Sequence, residues 1–310
     1  MAVGMIDRLL AAMTVEIDAF ALCDIAPDAA LVICPLDLVE VYFLLEGTLH
    51  LATQGAAPIR VDPGGIVIVP AGLAQCMASS QLATRLVDPA SIEAPLASGV
   101  THYPTGGVRG GRVICGKINA DLGGSFGLFD GLAHPLHAQL GDDPLVAAIF
   151  ATMRRECETG LLGGHSPASA LMKACLILVL RQLFAGAGLD RLPALFARPS
   201  LLRAILSVVE CPQAAHSVAS LAATAGMSRS SFARSFAASL DLTPMEFVGQ
   251  ARIARARQLL TSTELSVATV ATSAGFASRS HFSRSFRSAV GADLLSFRDR
   301  LRKDQHVRRA

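Results

Sequence analysis

Two sets of arginines in this chain are spaced to meet phosphate or a nucleobase. In the last hundred residues one pattern is written twice, first as Leu221-Ala222-x-x-Ala225-Gly226-Met227-Ser228-x-Ser230-x-Phe232-x-Arg234-x-Phe236. It returns as Val270-Ala271-x-x-Ala274-Gly275-Phe276-x-Ser278-x-Ser280-x-Phe282-x-Arg284-x-Phe286, with a single residue inserted after the glycine. Arginine bonds guanine edges or phosphate and serine adapts to either role, so an outward row of the two suits the DNA major groove. The second set is Gly106-Gly107-Val108-Arg109-Gly110-Gly111-Arg112, followed by Asn119-Ala120-Asp121-Leu122-Gly123-Gly124. Glycine removes side-chain bulk while guanidinium holds phosphate and stacks on purines, which is the chemistry of a nucleotide site.

The repeated pattern predicts its own supports. Ser217 caps a helix whose inner face is Val218, Leu221, Ala222 and Ala225, Gly226 makes the turn, and Ser228 caps the next helix. There Phe232 and Phe236, four apart, share one face and leave Ser230, Ala233 and Arg234 outside. From Ser266 the design recurs: Val267, Val270, Ala271 and Ala274 face inward, Phe282 and Phe286 anchor the second helix, and Ser280, Ser283, Arg284 and Arg287 point away. Between the copies Pro244 opens a joining helix with an apolar stripe of Val248, Ile253, Ala256, Leu259 and Leu260. Its Arg252, Arg255 and Arg257 read either as a solvated face or as a basic contact.

On these motifs residues 200–302 resemble the DNA-binding domain of the AraC/XylS family of transcriptional regulators. The resemblance implies two recognition helices in successive major grooves of promoter DNA and RNA polymerase as a further partner, with the role of activator or of repressor left open. Carried over, the base-reading positions are Ser230, Ala233 and Arg234 in the first helix and Arg279, Ser280, His281, Ser283 and Arg284 in the second. Two closing-turn positions depart from the pattern, Asp241 where the second copy has Gly291 and Leu294 where the first has Pro244.

Charge separates the chain in the same place. Of 27 Lys/Arg and 25 Asp/Glu, 15 and 7 lie beyond residue 200, leaving 12 and 18 before it, so a net charge of +2 hides a basic end and an acidic remainder. Only the basic end favours a polyanion. A length of 310 residues predicts two domains, here residues 1–196 as sensor and 197–310 as DNA binder. The longest apolar stretch, Ala174 to Leu183, is interrupted by Arg181 and too short to span a bilayer, which with the charged N-terminal residues predicts a cytoplasmic protein without membrane contact. Seven scattered cysteines with no Cys-x-x-Cys pair read as small buried apolar residues.

Up to about residue 130 short β-branched runs alternate with Glu46-Gly47, Gln54-Gly55 and Pro63-Gly64-Gly65 turns. With Ile66-Val67-Ile68-Val69-Pro70-Ala71-Gly72 these segments resemble the cupin barrel used as a sensor by many AraC-type regulators. Cupin enzymes bind metal through histidines and a glutamate. Here Gln75 stands where the late histidine would be, and the strand from Val39 offers Glu40 without a histidine pair. No metal, no cofactor and no enzymatic activity are therefore expected. After residue 140, Leu145, Ile149 and Met153, then Leu171, Cys175, Leu178 and Leu183, form helical stripes that relatives use for dimerisation and that equally suit core packing. The expected class is α+β in two domains: a cupin-like β-barrel with dimerisation helices, then an all-α double helix-turn-helix domain.

The glycine-flanked arginines loosely resemble the cyclic di-GMP motif of PilZ domains, with a spacing shorter by one and Asp121 in place of the motif's serine. That resemblance makes cyclic di-GMP a candidate effector, held by Arg109, Arg112, Asn119 and Asp121. The competing readings are another small molecule in the barrel, with Cys115 to Asp121 as scaffold, and constitutive DNA binding with no effector.

Overall fold

The computed structural model describes residues 8, 10–96, 100–122, 126–127, 129, 132, 134–140, 144–159, 165–185, 198–291, 293–294 and 296–298. It divides into two compact units, one of residues 14–120 and 128–193, the other of 1–13, 121–127 and 194–310. Each is described by itself.

The first unit is built from strands, and the stretch 121–127, which ends the eleventh strand and holds the twelfth, counts with the second unit. Their order is β1 (Met13–Ile25), β2 (Ala29–Ile33), β3 (Val39–Gly47), β4 (Leu49–Thr53), β5 (Ile59–Val61), β6 (Gly65–Val69), β7 (Gln75–Ala78), β8 (Arg85–Val87), β9 (Ala94–Pro95), β10 (Thr101–Pro104), β11 (Gly111–Leu122), β12 (Phe126–Gly127) and β13 (Leu136–Gln139). The larger sheet runs β13-β6-β3-β11-β1-β10-β9 with β12 against β11, and the smaller runs β5-β4-β7-β2-β8. The predicted β-branched runs fall inside β2, β3, β4 and β6. Between the sheets Ile25, Leu31, Tyr42, Leu44, Leu49, Leu51, Val67, Val69, Met77 and Val113 make one buried core. Burial of this kind is the main term holding such a barrel closed.

Gly110 and Gly111, which follow Arg109, serve that closure together with Gly47. A Cβ on Gly47 would lie 1.9 Å from the Gly110 carbonyl oxygen, and one on Gly110 would meet the Ser79 hydroxyl oxygen at 2.4 Å. Backbone therefore packs against backbone where β11 begins, and the ladder there takes a bulge between Arg112 and Val113.

Helices α1 (Pro144–Thr159) and α2 (His165–Ala185) follow. Their buried faces are Val146, Ile149, Phe150 and Met153, then Met172, Cys175, Leu176, Val179 and Leu180. Of the expected stripes Ile149, Met153 and Cys175 are buried, Leu171 and Leu178 are half-buried and Leu145 is 59 % exposed, the Leu183 side chain lying outside the described residues, while Phe150 stacks on Phe43 of β3. Much of this apolar surface is core, because β3 is apolar on both faces and needs a cover on the side away from the barrel.

The second unit is helical: α3 (Pro199–Glu210), α4 (Val218–Ala225), α5 (Arg229–Leu240), α6 (Pro244–Ser262), α7 (Val267–Ser273) and α8 (Arg279–Val290). The capping serines sit where the sequence puts them. Ser217, Ser228, Ser266 and Ser278 accept from the backbone N–H of Ser220, Ser231, Thr269 and His281. Thr243 and Glu246 close a capping box before α6, with Pro244 in its first turn.

Candidate nucleic-acid interface and sensor cavity

Helices α4 and α5 form one helix-turn-helix, and α7 and α8 form another, joined by α6. Gly226 ends α4 in the left-handed conformation at φ 68°, as the turn requires. In the second copy the extra residue lets Ala274 end α7 in right-handed geometry, and Gly275 takes φ 91° packed against Gln213 and Arg252.

Residues 230–238 of α5 and 280–288 of α8 follow the same order of exposure, position by position. Phe232 and Phe236 are buried in one, Phe282 and Phe286 in the other. Ser230 and Arg234 match Ser280 and Arg284 as exposed positions, and Ala233 and Ser283 are half-buried between them. Arg279 and His281 are also exposed, the imidazole edge-on to the Phe276 ring. Six of the eight predicted base-reading residues are thus exposed, and Ala233 and Ser283 are half-buried at the edge of that face. The faces differ in charge, since α8 carries Arg279, Arg284 and Arg287 where α5 carries Arg229 and Arg234.

Other arginines of this unit are structural. Arg252 donates to the carbonyl oxygens of Pro212 and Ala214, each at 2.9 Å, and Arg203 donates to those of Thr224 and Ala225 at the end of α4. The open alternative for α6 therefore resolves unevenly: Arg252 is half-buried, while Arg255 and Arg257 are exposed.

In the first unit a cavity of about 430 Å³ lies inside the barrel. Its wall is mostly apolar, with Phe20, Leu31, Ile33, Tyr42, Met77 and Tyr103, and its polar groups include Glu40 and Lys117, paired across β3 and β11. Gln75 donates from its amide to the Glu40 carboxylate, so the two positions singled out against the metalloenzyme pattern do meet. Burial pushes the Glu40 carboxyl up, against the opposing pull of Tyr42, Gln75 and Lys117. The Tyr42 hydroxyl, buried beside it, makes no hydrogen bond of good geometry and is pushed far up by burial. No histidine lines this wall, and the described residues contain no cluster of three or more His, Cys, Asp or Glu able to hold a metal. A carboxylate already bonded to an amide does not fit a resident cupin metal.

The predicted nucleotide site does not assemble. Arg112 grips Asp24 bidentately, Nε to Oδ1 at 2.8 Å and Nη2 to Oδ2 at 3.2 Å, while Arg109 reaches Asp24 at 3.0 Å and Glu46 at 3.3 Å. His102 stands 3.1 Å from the same carboxylate. Burial raises the Asp24 carboxyl, but Arg112, His102 and Arg109 outweigh it and hold it below the ordinary carboxylate range. Asn119 is exposed and Asp121 half-buried toward the far end of β11. Seven steps along the strand, roughly 23 Å at about 3.3 Å each, separate Arg112 from Asn119. The four residues cannot close on one ligand, and both guanidinium groups already have carboxylate partners. Sequence reasoning missed Asp24, whose partners lie 78 to 88 residues away.

The cysteines also depart from expectation. Cys23 and Cys175 are buried, but Cys34 and Cys211 are exposed and Cys76 and Cys115 half-buried. Among the described residues no helix is long and apolar enough to cross a membrane.

Comparison with known proteins agrees with the two-part architecture. The cupin family matches residues 5–185 and the helix-turn-helix domain family matches residues 221–300. The regulator MtrA of Neisseria gonorrhoeae is 25% identical over 256 residues, 78% of this chain and 82% of its own length. AlkR of Acinetobacter baylyi is 25% identical over 268 residues, 81% of this chain and 84% of its own. The chain belongs to the AraC family of helix-turn-helix transcriptional regulators, with a cupin domain on its N-terminal side. Among solved structures, a transcriptional regulator from Chromobacterium violaceum described as containing an AraC-type DNA-binding domain is 28% identical, covering 34% of this chain and 94% of that one with a TM-score of 0.33. ToxT of Vibrio cholerae is 11% identical, covering 94% and 98% with a TM-score of 0.36. This AraC-family chain is a DNA-binding regulator.

Proposed function

We propose that this AraC-type regulator reads promoter DNA with both α5 and α8 and is controlled by a mainly apolar small molecule held in the barrel cavity. The matching order of exposure on α5 and α8 carries the first half, because it sets Ser230, Ala233 and Arg234 and their counterparts Ser280, Ser283 and Arg284 on equivalent outer faces. Arg279 and His281 extend the second face. The cavity supports the second half: about 430 Å³ of largely apolar wall, with Glu40 and Lys117 to meet one polar group, is the usual form of a ligand pocket. Cyclic di-GMP at Arg109 and Arg112 has no comparable support, since two carboxylates already neutralise those side chains. The reading includes action as a cytoplasmic, non-catalytic homodimer that contacts RNA polymerase.

An effector favouring one conformation shifts the population competent to hold DNA. The test for the DNA half is selection of bound fragments from genomic DNA by the full chain, followed by titration of an enriched site. Loss of binding in both Arg234→Ala and Arg284→Ala supports two reading helices, and loss in Arg284→Ala alone restricts reading to α8. A thermal-shift screen tests the sensor half: a cavity ligand raises the melting temperature, and Tyr103→Trp, which fills the cavity, removes that rise. Stabilisation by cyclic di-GMP that survives Tyr103→Trp would restore the nucleotide reading. Light scattering of the full chain tests the dimer.

A further inference from the structure

Cys23 and Cys115 stand on β1 and β11, neighbours in the larger sheet, and their Sγ atoms are 2.8 Å apart. That separation lies inside sulfur van der Waals contact and outside a disulfide bond of about 2.05 Å, so bond formation asks for less than about 1 Å of movement. Adjacent strands about 4.8 Å apart also fall within the Cα separation of about 4.4–6.8 Å that a disulfide spans. Both residues line the cavity, and Cys115 is the more exposed, Cys23 being only 2 % accessible. No part of DNA reading or ligand binding above uses either thiol.

We propose that Cys23 and Cys115 form a reversible disulfide site in the wall of the sensor barrel, closed by a peroxide that enters through the cavity. The Cys115 thiolate attacks one peroxide oxygen, the O–O bond breaks, and hydroxide leaves with the electron pair, giving a sulfenic acid. The Cys23 sulfur then attacks the Cys115 sulfur, the S–S bond forms, and the sulfenic oxygen leaves as water. Two thiols lose two electrons and two protons, and hydrogen peroxide becomes two waters. A dithiol reductant reverses the change by exchange. The remaining described cysteines lack this arrangement. Cys34 and Cys211 are exposed without a second thiol in contact, and burial pushes the Cys175 thiol up to about 12, away from reactivity.

The test treats the reduced full-length protein with hydrogen peroxide, alkylates remaining thiols under denaturing conditions, and maps peptides without reduction. The expected product is an intramolecular link between the Cys23 and Cys115 peptides, formed before Cys34 or Cys211 is modified and removed by dithiothreitol. In Cys23→Ser, dimedone should trap a sulfenic acid at Cys115 with no link. In Cys115→Ser, Cys23 should stay at least tenfold slower to oxidise than in the parent protein. Cys23 and Cys115 remaining alkylatable while Cys34 or Cys211 is consumed would overturn the site. So would irreversible oxidation of Cys115 to the sulfinic acid without a link in the parent protein. Melting curves of the serine variants within a few degrees of the parent show that the barrel they report on is folded.

Discussion

Arg234 and Arg284 stand exposed on the outer faces of α5 and α8, with no carboxylate in contact among the described residues, while Arg112 at the start of β11 is only 17 % exposed and clasps Asp24. All three are arginines among small residues in the sequence. The difference is what each faces after folding. A guanidinium with an open hemisphere can exchange counterions for DNA phosphates or a guanine edge. One that shares a part-buried carboxylate with a second arginine and a histidine is already neutralised and holds strands together. Flanking glycines did not separate the cases: the space at Gly110 is filled by Ser79 and Pro27 and that at Gly111 by the Thr48 carbonyl, while Gly106 faces open space.

Asp24→Asn tests this difference most directly. If Asp24 is the counter-charge that makes the sensor arginines structural, its loss strands two guanidinium groups, one poorly hydrated, and should cost about 3 to 5 kcal/mol in a urea titration of the full chain. A cost below about 1 kcal/mol would return Arg109 and Arg112 to the pool of free ligand-binding groups. The acid limb gives a second reading. Because the folded Asp24 carboxyl sits below its unfolded value near 3.9, its stabilisation is present above that value and disappears as pH falls through the lower folded one. The parent and Asp24→Asn should therefore converge in stability only in that acid range.

On the DNA side Arg284→Ala should weaken a selected operator by about 1 to 3 kcal/mol while leaving the melting temperature unchanged, and a shallower dependence of affinity on salt would mark a phosphate contact. Arg234→Ala should lose a similar amount. A change in stability with unchanged operator affinity, read by gel shift and thermal melting together, would place Arg284 with the structural arginines. Arg252→Ala supplies the control within the same unit. It should cost about 3 kcal/mol of stability through two lost charged hydrogen bonds, with no loss of affinity per folded molecule at temperatures where the variant is native.

The helix-turn-helix half was legible because its signals are short-range. Capping serines, a turn glycine and phenylalanines four apart all act within one or two turns of helix, and the repeat supplied each of them twice. Strand positions were legible for the same reason, from β-branched runs and their turns. The cavity was not, since its wall gathers residues from β1, β2, β3, β7, β10 and β11. Glu40 and Gln75 came closest, because both are positions where the cupin resemblance expects metal ligands, and such ligands must meet in the fold. Asp24 with Arg112, and Cys23 with Cys115, lie 88 and 92 residues apart. Nothing local marks them, and only strand order, which places β11 beside β1, brings them together.

The smallest effect divides the two sensor arginines themselves. Arg109 is 41 % exposed and bridges Asp24 and the half-exposed Glu46, so water screens much of what it contributes. Arg112 uses a bidentate geometry in a site from which water is largely excluded. Arg109→Ala should therefore cost no more than about 0.5 kcal/mol at low salt and less at high salt, whereas Arg112→Ala should destabilise several times as much with little dependence on salt. Equal costs would mean that Arg109 does more than flank the pair, either by closing the loop at Gly110 or by serving a ligand after all. Calorimetry of Arg109→Ala with cyclic di-GMP, set beside the parent protein, separates those two: heat present in the parent and absent in the variant assigns Arg109 to the ligand.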